Sequence, residues 1–328
     1  MSEPYILVEL DHLIDRAQLG TTLCIGTLGF EDRSLGALNS MQRIRGLSKM
    51  IYLITHGNSS EIRGHSERFA KQQMNLKRLR SLCDPKGLLL LDCPLDTPDD
   101  ALNAVVSELK GKAYDSIIFD ISTMPKRILF LLFRRVWEIS EQNVIAIYST
   151  PSEYSSEPLF YEIGQPNLLP GFNSKNGSKE KLDAWIAILG FEGDSAIKTM
   201  QWGSFNKVIP IIAFPGYRAA YVDRVLYANK DLLKQPEMER IYYSSANNPF
   251  QTSELINNLL IRLSEYSIVL SPMGPKPHSL GLCLSAIQHD LQVVYAQPWA
   301  YNPNYSIGYV TTFAYWLKHS ENKPGLSR

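Results

Sequence analysis

Thr27-Leu-Gly-Phe-Glu-Asp-Arg-Ser34 and Ile188-Leu-Gly-Phe-Glu-Gly-Asp-Ser195 are two versions of one octapeptide, and a second apolar run follows each of them, Met50–Ile54 and Val208–Phe214. The correspondence continues downstream. Leu88–Leu91 leads through a helical pattern at Asp99–Leu109 into Ser116–Phe119 and the loop Asp120-Ile-Ser-Thr-Met-Pro-Lys126. Its counterpart runs from Ile241–Tyr243 through Ser253–Leu263 into Ser267–Leu270 and Ser271-Pro-Met-Gly-Pro-Lys276. Each copy closes with a helix, a strand (Val144–Tyr148; Val293–Ala296) and a loop holding Pro and Tyr, Pro151 to Tyr154 and Pro298 to Tyr301. Short apolar runs alternating with segments of helical period predict parallel sheets joined by right-handed crossovers. The fold class expected is therefore α/β: two tandem Rossmann-like units with mostly parallel sheets, related by internal duplication. The alternative is chance likeness, because all such halves share apolar strands and short loops.

The boundaries follow from composition. Residues 1–155 form the first expected domain, 156–182 a linker and 183–328 the second. Pro158, Pro166, Pro170 and the polar run Asn173-Ser-Lys-Asn-Gly-Ser-Lys179 mark the linker or exposed excursion. The segment Ser320–Arg328 is polar and is expected to fray.

The chain has 328 residues, with 33 Lys and Arg matched by 33 Asp and Glu, so its formal net charge is zero and its pI is about 7.0. No net field advertises nucleic acid or an anionic membrane. Hydrophobic residues at 45% and charged residues at 20% describe a folded globular chain rather than a disordered tail or a fibre. The four cysteines show no CxxC pairing and the six histidines no HExxH or finger spacing. No metal and no disulfide framework is expected, and a reducing cytoplasm fits. The N-terminal stretch carries acids where a signal peptide wants a basic start. The apolar stretch Ile128 to Phe133 ends at Arg134-Arg135 and is too short to span a bilayer. A cytoplasmic protein with no membrane contact is expected.

In a parallel sheet, ligands collect at the carboxyl ends of strands where the strand order reverses. The loop Asp120–Arg127 offers an acid as its strand ends, hydroxyls at Ser122 and Thr123, Pro125 as a first helical residue, and Lys126 and Arg127 in the opening turn. Free backbone donors at a helix start attract an anion, and two cations there cost stability unless an anion is bound. The alternative is that Asp120 or Ser122 is an ordinary helix cap and the two cations are solvated. The loop Ser271–His278 holds three prolines beside Gly274, Lys276 and His278, a rigid frame in which Gly274 admits a ligand and the two cations donate to it. Neither GxxxxGK[ST] nor GxGxxG occurs.

In Gly29-Phe-Glu-Asp-Arg33, acids at a helix start complement the dipole; an ion pair between Glu31 or Arg33 and the Asp120 loop is the main expectation, and direct ligand contact the other. Tyr154, Trp299 and Tyr301 lie in loops where rings could stack a base, cover a sheet edge or form a dimer face. Arg218, after a strand of the second copy, faces the same kind of cleft. The stretch Arg63 to Lys86 is basic, with Phe69, Met74, Leu76, Leu79 and Leu82 at helical spacing; a helix with a solvated basic face is its usual meaning, and nucleic-acid contact is not favoured. There is no GxSxG elbow, and Cys24, Cys93 and Cys283 sit in or beside apolar segments where a thiol is inert. Asp120 as general base with Glu31 as its partner is the one catalytic arrangement available.

Asp120-Ile-Ser-Thr-Met-Pro-Lys126 resembles the strand-loop-helix signature of CRISPR-associated Rossmann-fold sensor domains. That signature runs Asp or Asn, aliphatic, Thr, two Gly, Thr and Lys. Asp120, Ile121, Ser122 and Lys126 fit; Thr123 and Met124 stand for the glycines and Pro125 for the second threonine. The resemblance covers this one loop. It implies a role in bacterial antiphage defence, dimerisation, and recognition of a cyclic oligonucleotide or similar signal in a basic cleft.

The leading expectation is a cytoplasmic, homodimeric sensor or regulatory component that binds a nucleotide or other phosphorylated ligand and holds no cofactor. Lys126, Arg127, Lys276 and His278 would hold phosphate, Ser122, Thr123 and Gly274 would donate, and Tyr154, Trp299 or Tyr301 would stack a base. Two other classes stay open: a nucleotide-processing hydrolase (a phosphodiester hydrolase or N-glycosidase) using Asp120 or Glu31, and a scaffold subunit that binds a protein partner.

Overall fold

The computed structural model describes residues 6–57, 64–173 and 182–320. Its strands in chain order are β1 (Ile6–Glu9), β2 (Thr22–Leu28), β3 (Leu47–His56), β4 (Leu88–Pro94), β5 (Ser116–Asp120), β6 (Asn143–Ser149), β7 (Glu153–Tyr154), β8 (Phe160–Leu168), β9 (Leu182–Ile188), β10 (Lys207–Ala213), β11 (Tyr242–Ser244), β12 (Tyr266–Pro272), β13 (Gln292–Tyr301), β14 (Ser306–Ile307) and β15 (Thr312–Lys318). The helices are α1 (Leu10–Arg16), α2 (Leu38–Gln42), α3 (His65–Leu82), α4 (Asp99–Gly111), α5 (Lys126–Ile139), α6 (Gly193–Trp202), α7 (Ala219–Ala228), α8 (Pro249–Arg262) and α9 (Lys276–Gln288), with a 3-10 turn at Asp32–Leu35.

Every residue of β2, β5 and β6 is buried. Strands covered on both faces read as continuous apolar runs rather than alternating ones, which is why they stand out in the sequence. One sheet runs β1-β15-β6-β5-β2-β3-β4 and the other β11-β10-β9-β12-β13-β8. In each, five parallel strands taken in chain order lie 3-2-1-4-5, and an antiparallel strand lies beside the fifth. The order reverses between β2 and β5 in one unit and between β9 and β12 in the other. Cys24 pairs with Ile118, and Trp185 with Val269, so the two octapeptides end equivalent first strands. The α/β class with mostly parallel, Rossmann-like sheets is the observed one.

The division of the chain differs from the expected one. One unit comprises Met1–Glu157 together with Asn302–Arg328, and the other is Pro158–Tyr301. Residues 302–320 rejoin the first unit because β15 pairs antiparallel with β6 and in turn carries β1. Much of the expected linker is the edge strand β8, where Pro166 lies opposite Ala296; an edge tolerates a residue without an N–H. Residues 174–181 of the expected linker, residues 321–328 of the expected frayed end, and Arg63 of the basic stretch lie outside the described residues. Pro298, Trp299 and Tyr301, expected in a loop, belong to β13, whose irregular register against β8 accommodates the proline.

Apolar clusters pack against both sheets: Leu28, Tyr52, Leu79 and Ile145 share one, and Trp185, Phe205 and Val225 share another. α3 departs from its expected face. Phe69, Met74 and Leu82 are exposed, while Gln72 and Leu79 are buried. Among the described residues no helix is long and apolar enough to cross a membrane.

Candidate functional site

The strand order of the first unit reverses between β2 and β5, so the loops that follow these strands frame its candidate site. After β2, two side chains of α3 fix the backbone. Gln72 Nε2 donates to the carbonyls of Leu28 (2.7 Å) and Thr55 (2.8 Å), and Asn75 Nδ2 donates to those of Gly29 (3.0 Å) and Glu31 (3.1 Å). This binds the loop to a helix without using its charged side chains. An ideal Cβ at Gly29 would meet nothing within 4 Å, so the loop is open on that side.

Arg33 finds its counter-ion within its own loop, not in the Asp120 loop where it was expected. Its Nε donates to Glu31 Oε2 at 2.7 Å, with Arg33 2% and Glu31 8% exposed. The guanidinium also reaches Tyr148 Oη (3.3 Å), the Ser149 carbonyl (3.5 Å) and Tyr305 Oη (3.4 Å). Glu31 in turn accepts from Tyr305 Oη (2.7 Å) and Ser306 Oγ (2.6 Å). Burial by itself would depress the arginine, but Glu31 and the surrounding tyrosine oxygens outweigh it and hold the guanidinium protonated. Burial and the nearby Glu31 charge push the Tyr305 phenol well up, so it remains a donor.

After β5, Asp120 is buried (3% exposed), and its Oδ1 accepts the N–H of Ser122 at 2.9 Å. Ser122 Oγ accepts the N–H of Ser149 at 2.8 Å, which ties the loop to the end of β6. Thr123 Oγ1 donates to the Thr27 carbonyl at 3.1 Å and lies 3.1 Å from Thr27 Oγ1, which ties it to β2. Both hydroxyls expected on a ligand therefore brace the loop. Pro125 stands just before α5 rather than within it, and Lys126 is the first helical residue. No side chain caps this helix, and its first turn holds no acid. Arg127 extends away to the Asp96 carbonyl at 3.4 Å, in the loop after β4.

Tyr154 is not in a free loop. It lies in β7, paired with β14, with its ring stacked on Tyr305 at 6.2 Å between centroids and its hydroxyl 3.5 Å from that of Tyr148. Burial, then the neighbouring Tyr148, pushes its phenol well up.

In the second unit the corresponding loops meet each other. A Cβ at Gly190 would stand 2.3 Å from the Met273 carbonyl oxygen, and one at Gly274 would stand 2.6 Å from Ile188 Cγ2 and 3.0 Å from the Leu189 carbonyl. Gly274 thus admits its own chain rather than a ligand. His278 is fully buried, and its Nε2 lies 2.9 Å from the Ser245 carbonyl, so that nitrogen carries the proton and donates into the fold. Lys276 opens α9, likewise without a side-chain cap. Trp299 lies against Gly164 of β8: a Cβ there would come within 2.6 Å of the indole nitrogen. Tyr301 ends β13, and the exposed Arg218 immediately precedes α7.

The structure thus gathers Glu31, Arg33, Ser122, Thr123, Tyr154, Asp120 and Lys126 on the strand ends of one unit, and Arg218, Gly274, Lys276, His278, Trp299 and Tyr301 in the other. Sequence reasoning missed Ser306 and the specific roles of Tyr305, Gln72 and Asn75. Among the described residues no group of three or more His, Cys, Asp or Glu could hold a metal. None of the four cysteines forms a disulfide; Cys24, Cys93 and Cys283 are buried, and burial pushes the Cys93 thiol up to about 12.

No protein-family model and no curated protein matches this chain. Among solved structures, one described as a universal stress protein from Pseudomonas aeruginosa UCBPP-PA14 aligns at 10% identity over 86% of this chain and 95% of that chain, with a TM-score of 0.24. The cytoplasmic domain of a prokaryotic cation chloride cotransporter aligns at 10% identity over 85% and 95%, with a TM-score of 0.22. Scores this low carry no argument about function, and the α/β assignment rests on the strand order.

Proposed function

We propose that the first unit binds a nucleotide or another phosphorylated small molecule between the β2 and β5 loops, and that the protein acts as a sensor or regulatory component. The observation that carries this reading is the start of α5. An uncapped helix N-terminus with Lys126 and Arg127 at its first two positions and no acid in its first turn opposes the helix dipole, and a bound anion would offset that cost. The loop after β2 is open on the side of Gly29, where an ideal Cβ would meet nothing within 4 Å. The resemblance of the Asp120 loop to defence-associated sensor domains extends the reading to a nucleotide signal. In the second unit the contact of Gly190 with Met273 favours a supporting role.

Binding is favoured over hydrolysis because the two acids available for catalysis are engaged in the fold. Glu31 accepts from three donors, and Asp120 holds the Ser122 N–H. The test is thermal unfolding against mono-, di- and cyclic nucleotides, followed by chromatography of each mixture. A ligand at about 100 times its Kd adds about 2.7 kcal/mol to stability. The expected result is a shift that Lys126→Ala loses, with the ligand recovered intact. Recovery of altered ligand would make the protein an enzyme, and no shift with any compound would overturn the reading.

A further inference from the structure

Arg33 makes one short contact among the described residues, through Nε to Glu31 at 2.7 Å, while Nη1 and Nη2 reach oxygens only at 3.3–3.5 Å. A guanidinium carries five donors in a planar fork and binds an oxyanion best through two parallel contacts of about 2.7–2.9 Å. Here that fork is buried and meets the Glu31 carboxylate through Nε alone, one short contact where a guanidinium can make two. Nη1 faces Tyr148 Oη and the Ser149 carbonyl at the end of β6, whereas the groups set against Nη2 and against Glu31 belong to a returning piece of chain. Tyr305 faces Nη2 and donates to Glu31 Oε1, and Ser306 donates to Glu31 Oε2.

The same piece of chain is fastened to the outgoing one. Ser306 and Ile307 pair with Tyr154 and Glu153, Ser155 donates its N–H to the Tyr305 carbonyl at 2.8 Å, and the rings of Tyr154 and Tyr305 stack. The chain leaves the first unit after Glu157 and returns to it at Asn302. Both passages are therefore pinned, within a few residues, to the loop that carries Arg33.

We infer that Glu31 and Arg33 form a latch: the Nη fork of Arg33 is the seat for a ligand phosphate, Tyr305 and Ser306 hold it shut, and occupation of the seat releases residues 302–307. An incoming phosphate repels the Glu31 carboxylate, and the hydrogen bonds that Tyr305 and Ser306 make to that carboxylate are lost with it. The inference rests on the reading that this unit takes a phosphorylated ligand; it adds which side chain grips the phosphate and which segment answers.

The test measures binding of inorganic pyrophosphate and, in parallel, ATP to the full chain, with amide hydrogen exchange read at 153–155 and 302–307. Tyr305→Phe and Ser306→Ala each remove one hydrogen bond to Glu31 and are expected to bind about threefold to tenfold tighter than wild type. Arg33→Lys keeps the charge but loses the fork, and is expected to bind about tenfold weaker. In the wild type, either probe is expected to speed exchange at 302–307. Binding that Lys126→Ala abolishes, combined with unchanged exchange and wild-type affinity in Tyr305→Phe and Ser306→Ala, would overturn the latch and leave the phosphate reading standing. No binding of either probe to any variant would overturn both.

Discussion

Gly190 and Met273 touch through their backbones: a methyl group on the glycine would stand 2.3 Å from the methionine carbonyl oxygen, while the equivalent Gly29 has nothing within 4 Å. One motif, Leu-Gly-Phe-Glu, thus serves two purposes in one chain. In the second unit its glycine lets two loops close on each other, and in the first the glycine faces open space.

Gly190→Ala should therefore destabilise the second unit by about 1–3 kcal/mol, because a backbone carbonyl cannot move aside as a flexible side chain does. Gly29→Ala should change stability by less than about 0.5 kcal/mol. Thermal unfolding of the two variants side by side checks this, and equal losses would contradict it.

Ser122→Ala leaves the buried N–H of Ser149 without its acceptor and should cost about 1–3 kcal/mol in denaturant unfolding. Because the hydroxyl braces the loop, the variant, once folded, should keep ligand affinity within a small factor. A large loss of affinity at unchanged stability would return Ser122 to the ligand.

Glu108 is partly buried, which by itself would raise its pKa, but hydrogen bonds from Lys49, Tyr114 and Lys112 win and lower it from 4.5 to about 2. A depressed carboxyl contributes stability that is complete above its unfolded value and is lost as pH falls from about 4.5 toward about 2. The contribution is up to about 3 kcal/mol. Glu108→Gln should flatten the acid limb of the stability curve over that window; an unchanged limb would show that the interaction persists in the unfolded chain.

Cys83 is partly exposed, whereas Cys24, Cys93 and Cys283 are buried. Burial raises the Cys83 thiol too, so its alkylation should be slow near neutral pH but still faster than that of the other three. Peptide mapping after brief treatment with a maleimide should find the label at Cys83; label at Cys93 would show that β4 opens.

The parts of the fold legible in the sequence are those where burial on both faces writes an uninterrupted apolar run. Ile117 to Phe119 and Val144 to Tyr148 are of this kind, as is the helix beginning at Lys126. The site was legible where it follows such a strand, as at Asp120 and Lys126. The partners of Arg33 were not, because Tyr305 lies 272 positions away and no local pattern marks its return. His278 looked available for the opposite reason. Beside Lys276 it reads as a second donor, yet α9 is buried on nearly every side from Pro277 to Ala286, and its third residue points inward. Arg127 likewise shares the first turn of α5 with Lys126 but extends toward Asp96.

The first unit is assembled from two stretches of chain with the whole second unit between them. During synthesis β9 to β13, with β8 ahead of them, emerge before β15 exists. The inserted unit can therefore complete its own parallel sheet while the outer one still exposes the edge of β6 that β15 will cover. Until then β1, whose only strand neighbour among the described residues is β15, lacks that partner. An unpaired β6 edge invites association with other chains. Completion of the first unit's sheet thus waits on β15, and a chain halted after Tyr301 would carry a finished insert on an unfinished host.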